Sequence, residues 1–313
     1  MPTDTYTELW LEGPLSTAIY TRVYKPPPPI ALRASLIFVH GYLEHVDRHG
    51  YVQAHTKWAS RGVAVLTFDQ RGFGRTALNT EHRSPGSAYG RTGGSNERMA
   101  DLEWAIKLAK STFGDNVPIF LMGHSMAGGT VLGFATLATS PAKETIALLS
   151  GVISSSPLIR VGRKQPSWIV KRLLNSLSKI FPNMPISTPP QDKELSRDPT
   201  VGEAALKDPW IKGCGSAQGI SDMIQRGEYL LQEGYKLWPS DLPVLILQGD
   251  ADVVNAFPPT KAFYELLKAP DKEFIVYEDA WHDLISEPDV KDKYFEDILN
   301  WIGRHSHSKN LDD

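Results

Sequence analysis

Six apolar, partly β-branched runs recur along this chain, at residues 35–39, 63–68, 119–122, 146–153, 244–247 and 274–277. Amphipathic stretches separate most of them. Over residues 96–113, for example, Met99, Leu102, Ala105, Ile106 and Ala109 recur at helical spacing. A run that is apolar along its whole length suits a strand buried on both faces, and strands separated by helices are joined by crossovers, which makes them parallel. The alternation therefore predicts an α/β fold built on a mostly parallel, doubly wound sheet. An antiparallel hairpin is expected ahead of it, over residues 6–12 and 18–24 with a turn at Gly13-Pro14. Pro26 to Pro29 would then form a stiff extended link from the hairpin to the main body.

One segment breaks the alternation. Between residues 158 and 235 the pattern predicts helices and no strand, which reads as a helical cap inserted over the strand tips. The expected division is a core of residues 1–157 and 236–313 and a cap of residues 158–235. Within the cap, residues 166–181 place Ile169, Val170, Leu173, Leu174, Leu177, Ile180 and Phe181 on one helical face, with Lys164, Lys171, Arg172 and Lys179 around it. That composition suits an interfacial helix touching a membrane or lipid droplet, and equally a helix packed on its own domain with solvated lysines.

Bulk properties narrow the function classes. Thirty-three basic and 36 acidic side chains give a net charge of −3, so no global field recruits nucleic acid. The one cysteine, Cys214, excludes an internal disulfide and a thiolate metal cluster, and with no histidine near it in the sequence it is a poor candidate nucleophile. No run of 18 apolar residues, no charged-then-apolar leader and no Asn-x-Ser/Thr site is present. The expectation is a cytoplasmic protein that is not secreted and needs no metal or organic cofactor.

The chemistry starts where the third run breaks into a turn. Gly123-His124-Ser125-Met126-Ala127 is close to the G-x-S-x-G nucleophile elbow, in which a sharp strand-to-helix turn exposes a serine hydroxyl. Ala127 stands where the second glycine belongs, one methyl larger than the motif prescribes. A serine hydroxyl needs a base to take its proton and an acid to orient that base. Two later strands end in suitable residues: one runs into Gln248-Gly249-Asp250-Ala251-Asp252, the other into Glu278-Asp279-Ala280-Trp281-His282. Asp252 is the expected acid, with Asp250 as a turn residue bonding its own backbone. His282 is the expected base, because His55 and His82 have no partners in sequence and His305 and His307 fall in a polar tail. The backbone N–H groups of Met126 and Tyr42 are the expected oxyanion donors, Tyr42 because Val39-His40-Gly41 ends the first parallel strand in a glycine turn. His40 and His124 are expected to fix these loops by hydrogen bonds.

These segments resemble the monoacylglycerol lipases and related lysophospholipase-like serine hydrolases of the α/β-hydrolase fold. The resemblance runs from about Tyr6 to Gly303. It is carried by His40-Gly41-Tyr42-Leu43-Glu44-His45 with Arg48, by Phe68-Asp69-Gln70-Arg71-Gly72-Phe73-Gly74, by the elbow, by the Gly249-to-Asp252 loop, and by His282 followed by Glu287-Pro288. The Gln70-Arg71 pair and the long cap are most similar to the fungal monoglyceride lipases. The resemblance implies Ser125, Asp252 and His282 as a catalytic triad, Tyr42 and Met126 as oxyanion residues, and hydrolysis of monoacylglycerol to glycerol and fatty acid. Lysophospholipids and other fatty-acyl esters or thioesters are the alternative substrates, and a non-catalytic ligand receptor on the same fold is the alternative class. Tyr42 is bulkier than the alanine or phenylalanine expected there, which leaves the backbone donor intact and predicts a narrowed or reshaped acyl entrance. Glu44 and Arg48 are expected to pair and anchor the oxyanion loop, or else to bind a glycerol hydroxyl. Asp69 and Arg71 are expected to be structural.

Overall fold

The computed structural model describes residues 5–137, 142–163, 165–189 and 193–306; Lys164 and His307 lie outside them. The chain opens with β1 (Thr7–Gly13), β2 (Thr17–Tyr24), β3 (Ala34–Val39), α1 (Tyr51–Ala59), β4 (Val63–Phe68), α2 (Gly74–Leu78) and α3 (Ser95–Phe113). The elbow region follows as β5 (Ile119–His124), α4 (Met126–Ala135), α5 (Ala142–Ile146) and β6 (Leu149–Ser155). Then come α6 (Trp168–Ile180), β7 (Pro185–Ser187), α7 (Pro199–Lys207), β8 (Cys214–Ser216) and α8 (Ala217–Gln232). The chain returns to the main sheet with β9 (Val244–Gly249), α9 (Phe257–Leu266), β10 (Lys272–Tyr277) and α10 (Lys291–His305).

Eight strands form one sheet in the order β1-β2-β4-β3-β5-β6-β9-β10. β1, β2 and β4 pair antiparallel, and every neighbour from β4 to β10 is parallel. The central strands β3, β4, β5 and β9 are buried along their whole length, as their unbroken apolar runs require. On one face Leu66, Leu121, Val152 and Ile246 meet α3, α4 and α9; on the other Leu36, Phe120, Ile153 and Leu245 meet α1 and α10. Each large apolar side chain so buried contributes about 1.5–3 kcal/mol.

Three expectations need correcting. The hairpin is not linked to a separate body: Thr21–Tyr24 of β2 pairs with Val65–Phe68 of β4, so the hairpin extends the main sheet and the prolines only span the turn into β3. Ile146 ends α5, and β6 starts at Leu149. A short apolar run carries no period that separates a buried helix end from a strand. Segment 158–235 is not free of strands, because β7 and β8 pair as a small antiparallel sheet of their own.

Candidate active site

The parallel strands all point the same way, so the loops after β3, β5, β6, β9 and β10 meet along one edge, where open α/β sheets bind ligands. Ser125 follows β5 with φ 55° and ψ −117°, a left-handed conformation rare for a side-chain-bearing residue. The turn is strapped from both sides. Ser125 N–H donates to Ser155 O (2.9 Å), and Leu158 N–H donates to Ser125 O (2.9 Å). Glycine is required at 123, where a Cβ would stand 2.2 Å from Ala127 O, and at 129, where it would stand 2.5 Å from Leu158 O. Position 127 is different: the Ala127 methyl is fully buried in the core with Val131 and Leu132. Alanine fits this elbow because the close approach falls on its neighbours.

Ser125 Oγ lies 3.0 Å from His282 Nε2, and His282 Nδ1 lies 2.9 Å from Asp252 Oδ2. With Nδ1 protonated toward the carboxylate, Nε2 is free to accept the serine proton. Asp252 is itself fixed: Oδ1 accepts from the N–H groups of Val254 and Asn255 (2.9 Å each), and Gln248 Nε2 reaches Oδ2 (3.3 Å). Burial disfavours the imidazolium of His282, but the charge and hydrogen bond of Asp252 outweigh it, so its pKa is raised above the ordinary histidine value. Met126 opens α4, so its N–H has no intrahelical acceptor. Tyr42 follows Gly41, whose own N–H is held by Glu44 Oε2 (2.6 Å).

Several supporting contacts were not foreseen from the sequence, although Arg48 and Glu287 belong to the sequence motifs. Asn255 donates to Ser156 O (2.7 Å) and lies 3.4 Å from Ser125 Oγ, while Ser156 Oγ–H donates to His282 O (2.7 Å). Asp283 receives both terminal nitrogens of Arg48 (2.8 and 2.9 Å). Glu287 accepts from Ser196 Oγ (2.8 Å) and Arg197 Nε (2.6 Å), which ties the histidine loop to segment 158–235. The adjacency of Asp283 to His282 and of Asn255 to Asp252 was the signal available; their partners are distant in sequence.

Glu44 and Arg48 do pair, at 3.3 Å, and Glu44 also accepts from Tyr51 OH (2.5 Å). Burial pushes the Glu44 carboxyl up, but Arg48, His124 and the Tyr51 hydrogen bond win and hold it at about 2. His40 fixes the oxyanion loop as expected: Gln70 N–H donates to its Nε2 (2.9 Å), and Nδ1 faces Gly41 O (2.8 Å). His124 does not. Among the described residues its Nε2 has no hydrogen-bond partner, its ring packs 5.0 Å from His282, and burial lowers its pKa to about 4, so it stays neutral beside the base. Asp250 bonds not its own backbone but Asp279 N–H (2.7 Å), joining the acid and histidine loops. His305 ends α10, its Nε2 2.9 Å from Asp271. Asp69 and Arg71 are structural: Asp69 accepts from the N–H groups of Val46 and Arg75, and Arg71 pairs with Asp101 (2.8 Å).

A cavity of about 270 Å³ opens over Ser125 and His282, walled by Leu158, Val161, Ile211, Ile220 and Met223 with Glu44 and Arg48 as charged lining. Tyr42 bounds it and turns its hydroxyl to Thr188 Oγ1 (2.9 Å), with its ring against Phe73. A Cβ at Gly215 would sit 1.9 Å from the Tyr42 hydroxyl. The bulk of Tyr42 is therefore taken up between β7 and β8 and does not simply fill the entrance. Among the described residues no cluster of three or more His, Cys, Asp and Glu side chains could hold a metal ion.

A Saccharomyces cerevisiae monoglyceride lipase is 29% identical over 287 residues, covering 88% of this chain and 86% of its own. A Mycolicibacterium smegmatis monoacylglycerol lipase is 26% identical over 274 residues (87% and 89%). A Schizosaccharomyces pombe relative reaches 32% over 276 residues, 87% of this chain and 68% of its own. In structure, a soluble variant of the S. cerevisiae monoglyceride lipase bound to a substrate analog superposes with a TM-score of 0.82 over 98% of this chain and 97% of its own, at 24% identity. The model of the serine aminopeptidase S33 family, Hydrolase_4, matches residues 31–289. The chain belongs to this family of α/β-hydrolases.

Proposed function

We propose that the chain is a carboxylic ester hydrolase that cleaves monoacylglycerol to glycerol and free fatty acid. Ser125 Oγ attacks the ester carbonyl while His282 Nε2 takes its proton and Asp252 holds the imidazole. The N–H groups of Tyr42 and Met126 receive the oxyanion. Protonated His282 passes its proton to the departing glycerol oxygen; water, deprotonated by the same imidazole, then attacks the acyl-enzyme and releases the acid, returning Ser125 to its starting state. The observation that carries this reading is the hydrogen-bonded Ser125–His282–Asp252 line at the base of an apolar cavity. An acyl chain in that cavity gains about 0.8 kcal/mol per buried methylene. Residues 158–235 act as the cap over a core of residues 1–157 and 236–313.

The charged lining favours a neutral head group. Glu44 and Arg48 neutralise each other, and Arg48 is held by Asp283 as well, so among the described lining residues no free cation awaits a phosphate and no free carboxylate awaits a peptide α-ammonium. That speaks for glycerol esters over lysophospholipids and over the aminopeptidase chemistry in the family's name. A panel of mono-, di- and triacylglycerols with lysophospholipids is expected to show monoacylglycerol turned over fastest. Strong turnover of lysophospholipid with none of monoacylglycerol would overturn the assignment.

The pH dependence follows from His282. The base works when neutral, so kcat/KM rises with pH through an inflection above the ordinary histidine value of about 6.5. In Asp252→Asn the inflection moves to lower pH, because the group that raised it is gone. The stability contribution has the opposite sense: a raised folded-state pKa stabilises the fold at low pH and is lost as pH rises through it.

No helix among the described residues is long and apolar enough to cross a membrane. Contact with lipid is peripheral in this reading, for a cytoplasmic enzyme meeting membranes or lipid droplets through α6. Trp168, Leu173 and Ile180 are 68, 64 and 69% exposed there, a larger apolar display than an isolated helix face in water warrants. Trp168→Glu with Leu173→Glu is expected to lower partition onto phosphatidylcholine vesicles at least tenfold while leaving hydrolysis of a soluble short-chain ester unchanged. Unchanged partition would exclude α6 as the contact.

A further inference from the structure

A second cavity, about 260 Å³, lies where α3, α4 and α8 meet, lined by Ser95, Gly133, Leu137, Asp222, Gln225 and Arg226 among others. Two guanidinium groups are buried beside it, Arg98 at 4% and Arg226 at 8% exposure. Arg98 pairs with Asp222 at 3.2 Å. Among the described residues Arg226 has no such partner: its Nη1 donates to Thr130 Oγ1 (2.9 Å), and its Nη2 makes no hydrogen bond. The other acids nearby are spoken for. Asp101 takes Arg71 (2.8 and 3.1 Å), and Glu97 caps the Gly94 N–H (2.9 Å). Counted together these are three guanidinium groups and three carboxylates, but among the described residues no carboxylate pairs with Arg226, whose buried guanidinium a bound counter-charge would stabilise. Ser95 opens the 19-residue helix α3, so the positive end of its dipole adds to the same field.

We propose that this cavity binds a small oxyanion, a phosphate or carboxylate group, held by the Arg226 guanidinium with Ser95 and Gln225 at its rim. Arg226 stands on α8 and its side chain packs on Gly133 of α4, where a Cβ would come within 3.0 Å of its Cδ. Thr130, which receives Arg226, donates in turn to Met126 O (2.9 Å) at the head of α4. The anion therefore neutralises the contact by which α8 is fastened to the helix that carries the elbow.

The test is thermal denaturation of the full chain at constant ionic strength, with sodium chloride replaced stepwise by inorganic phosphate or by acetate. The expected result is a saturable rise in the midpoint with phosphate, acetate or both, the pattern separating a phosphate site from a carboxylate site. A midpoint that does not saturate, or that moves equally in Arg226→Met, overturns the proposal. Should Arg226→Met not fold, Gln225→Glu places a carboxylate at the rim. It is expected to raise the midpoint in chloride and to shift the phosphate response to at least tenfold higher concentration. An unchanged phosphate response in Gln225→Glu also overturns it.

Discussion

Ser125→Ala is expected to lower kcat on a monoacylglycerol by roughly 10⁶-fold, the scale seen when a hydrolase loses its nucleophile. The fold should be almost untouched. Among the described residues Ser125 Oγ hydrogen-bonds to His282 and Asn255 alone, the hydroxyl caps no N–H of α4, and alanine inherits the same backbone straps to Ser155 and Leu158. Activity lost with the melting midpoint kept is what separates a nucleophile from a structural serine. Ser125→Ala that still turns over ester at the native rate would end the proposed mechanism, as would failure of a fluorophosphonate probe to label Ser125 in the native chain. Asp252→Asn gives a different signature. Oδ1 is held by the Val254 and Asn255 N–H groups, so the asparagine oxygen stays there and its NH₂ turns to His282 Nδ1. The imidazole must then carry its proton on Nε2, facing Ser125, and kcat falls by about 10⁴-fold.

The juxtaposition of Ser125, Asp252 and His282 was legible in the sequence because each lies in the loop after a strand whose apolar run is continuous. Strand ends place loops along one edge of a parallel sheet, so chain order alone puts the elbow, the acid loop and the histidine loop beside each other. The supports of those loops were not legible in the same way. Arg48 and Asp283 are 235 positions apart, and nothing in either local segment announces the other. His124 shows the opposite failure: its place next to the nucleophile suggests a hydrogen-bonding role, yet among the described residues the packing leaves its Nε2 without a hydrogen bond. Ile146 and the β7–β8 pair were misread for a simpler reason, since runs of three to eight residues carry too little periodicity to separate helix from strand. The departure at Ala127 could be noticed in the sequence but not judged there. Its tolerance depends on which of three neighbouring small residues faces Leu158 and which faces the core.

Asp283→Ala is expected to destabilise the fold by about 3–5 kcal/mol, because it removes the two-pronged carboxylate partner of a buried guanidinium. Arg48 is 3% exposed and Asp283 1%, so water cannot replace the lost carboxylate. Among the described residues Glu44 is the carboxylate left beside Arg48, at 3.3 Å through Oε1, while its Oε2 is engaged by Tyr51 and the Gly41 N–H. The same buried arginine also stacks over the Tyr51 ring at 4.4 Å, which holds its position when the Asp283 contact is lost. Denaturant titration of wild type, Asp283→Ala, Arg48→Met and the double variant measures the coupling directly. Arg48→Met leaves two buried carboxylates without their cation and should cost as much as Asp283→Ala. The double variant should lose clearly less than the sum, because each substitution removes the charge that the other leaves stranded. Additive losses would mean that the two side chains do not act as a pair. Activity is a second, separable reading. Glu44 holds Gly41 N–H next to Tyr42 and is itself held by Arg48, so Arg48→Met loosens the oxyanion loop. Asp283→Ala acts instead on the loop of His282, which keeps its anchor from Ser156. Arg48→Met is therefore expected to lower kcat more than Asp283→Ala at equal stability, and that inequality tests whether the Glu44–Arg48 pair serves the oxyanion loop or the fold alone.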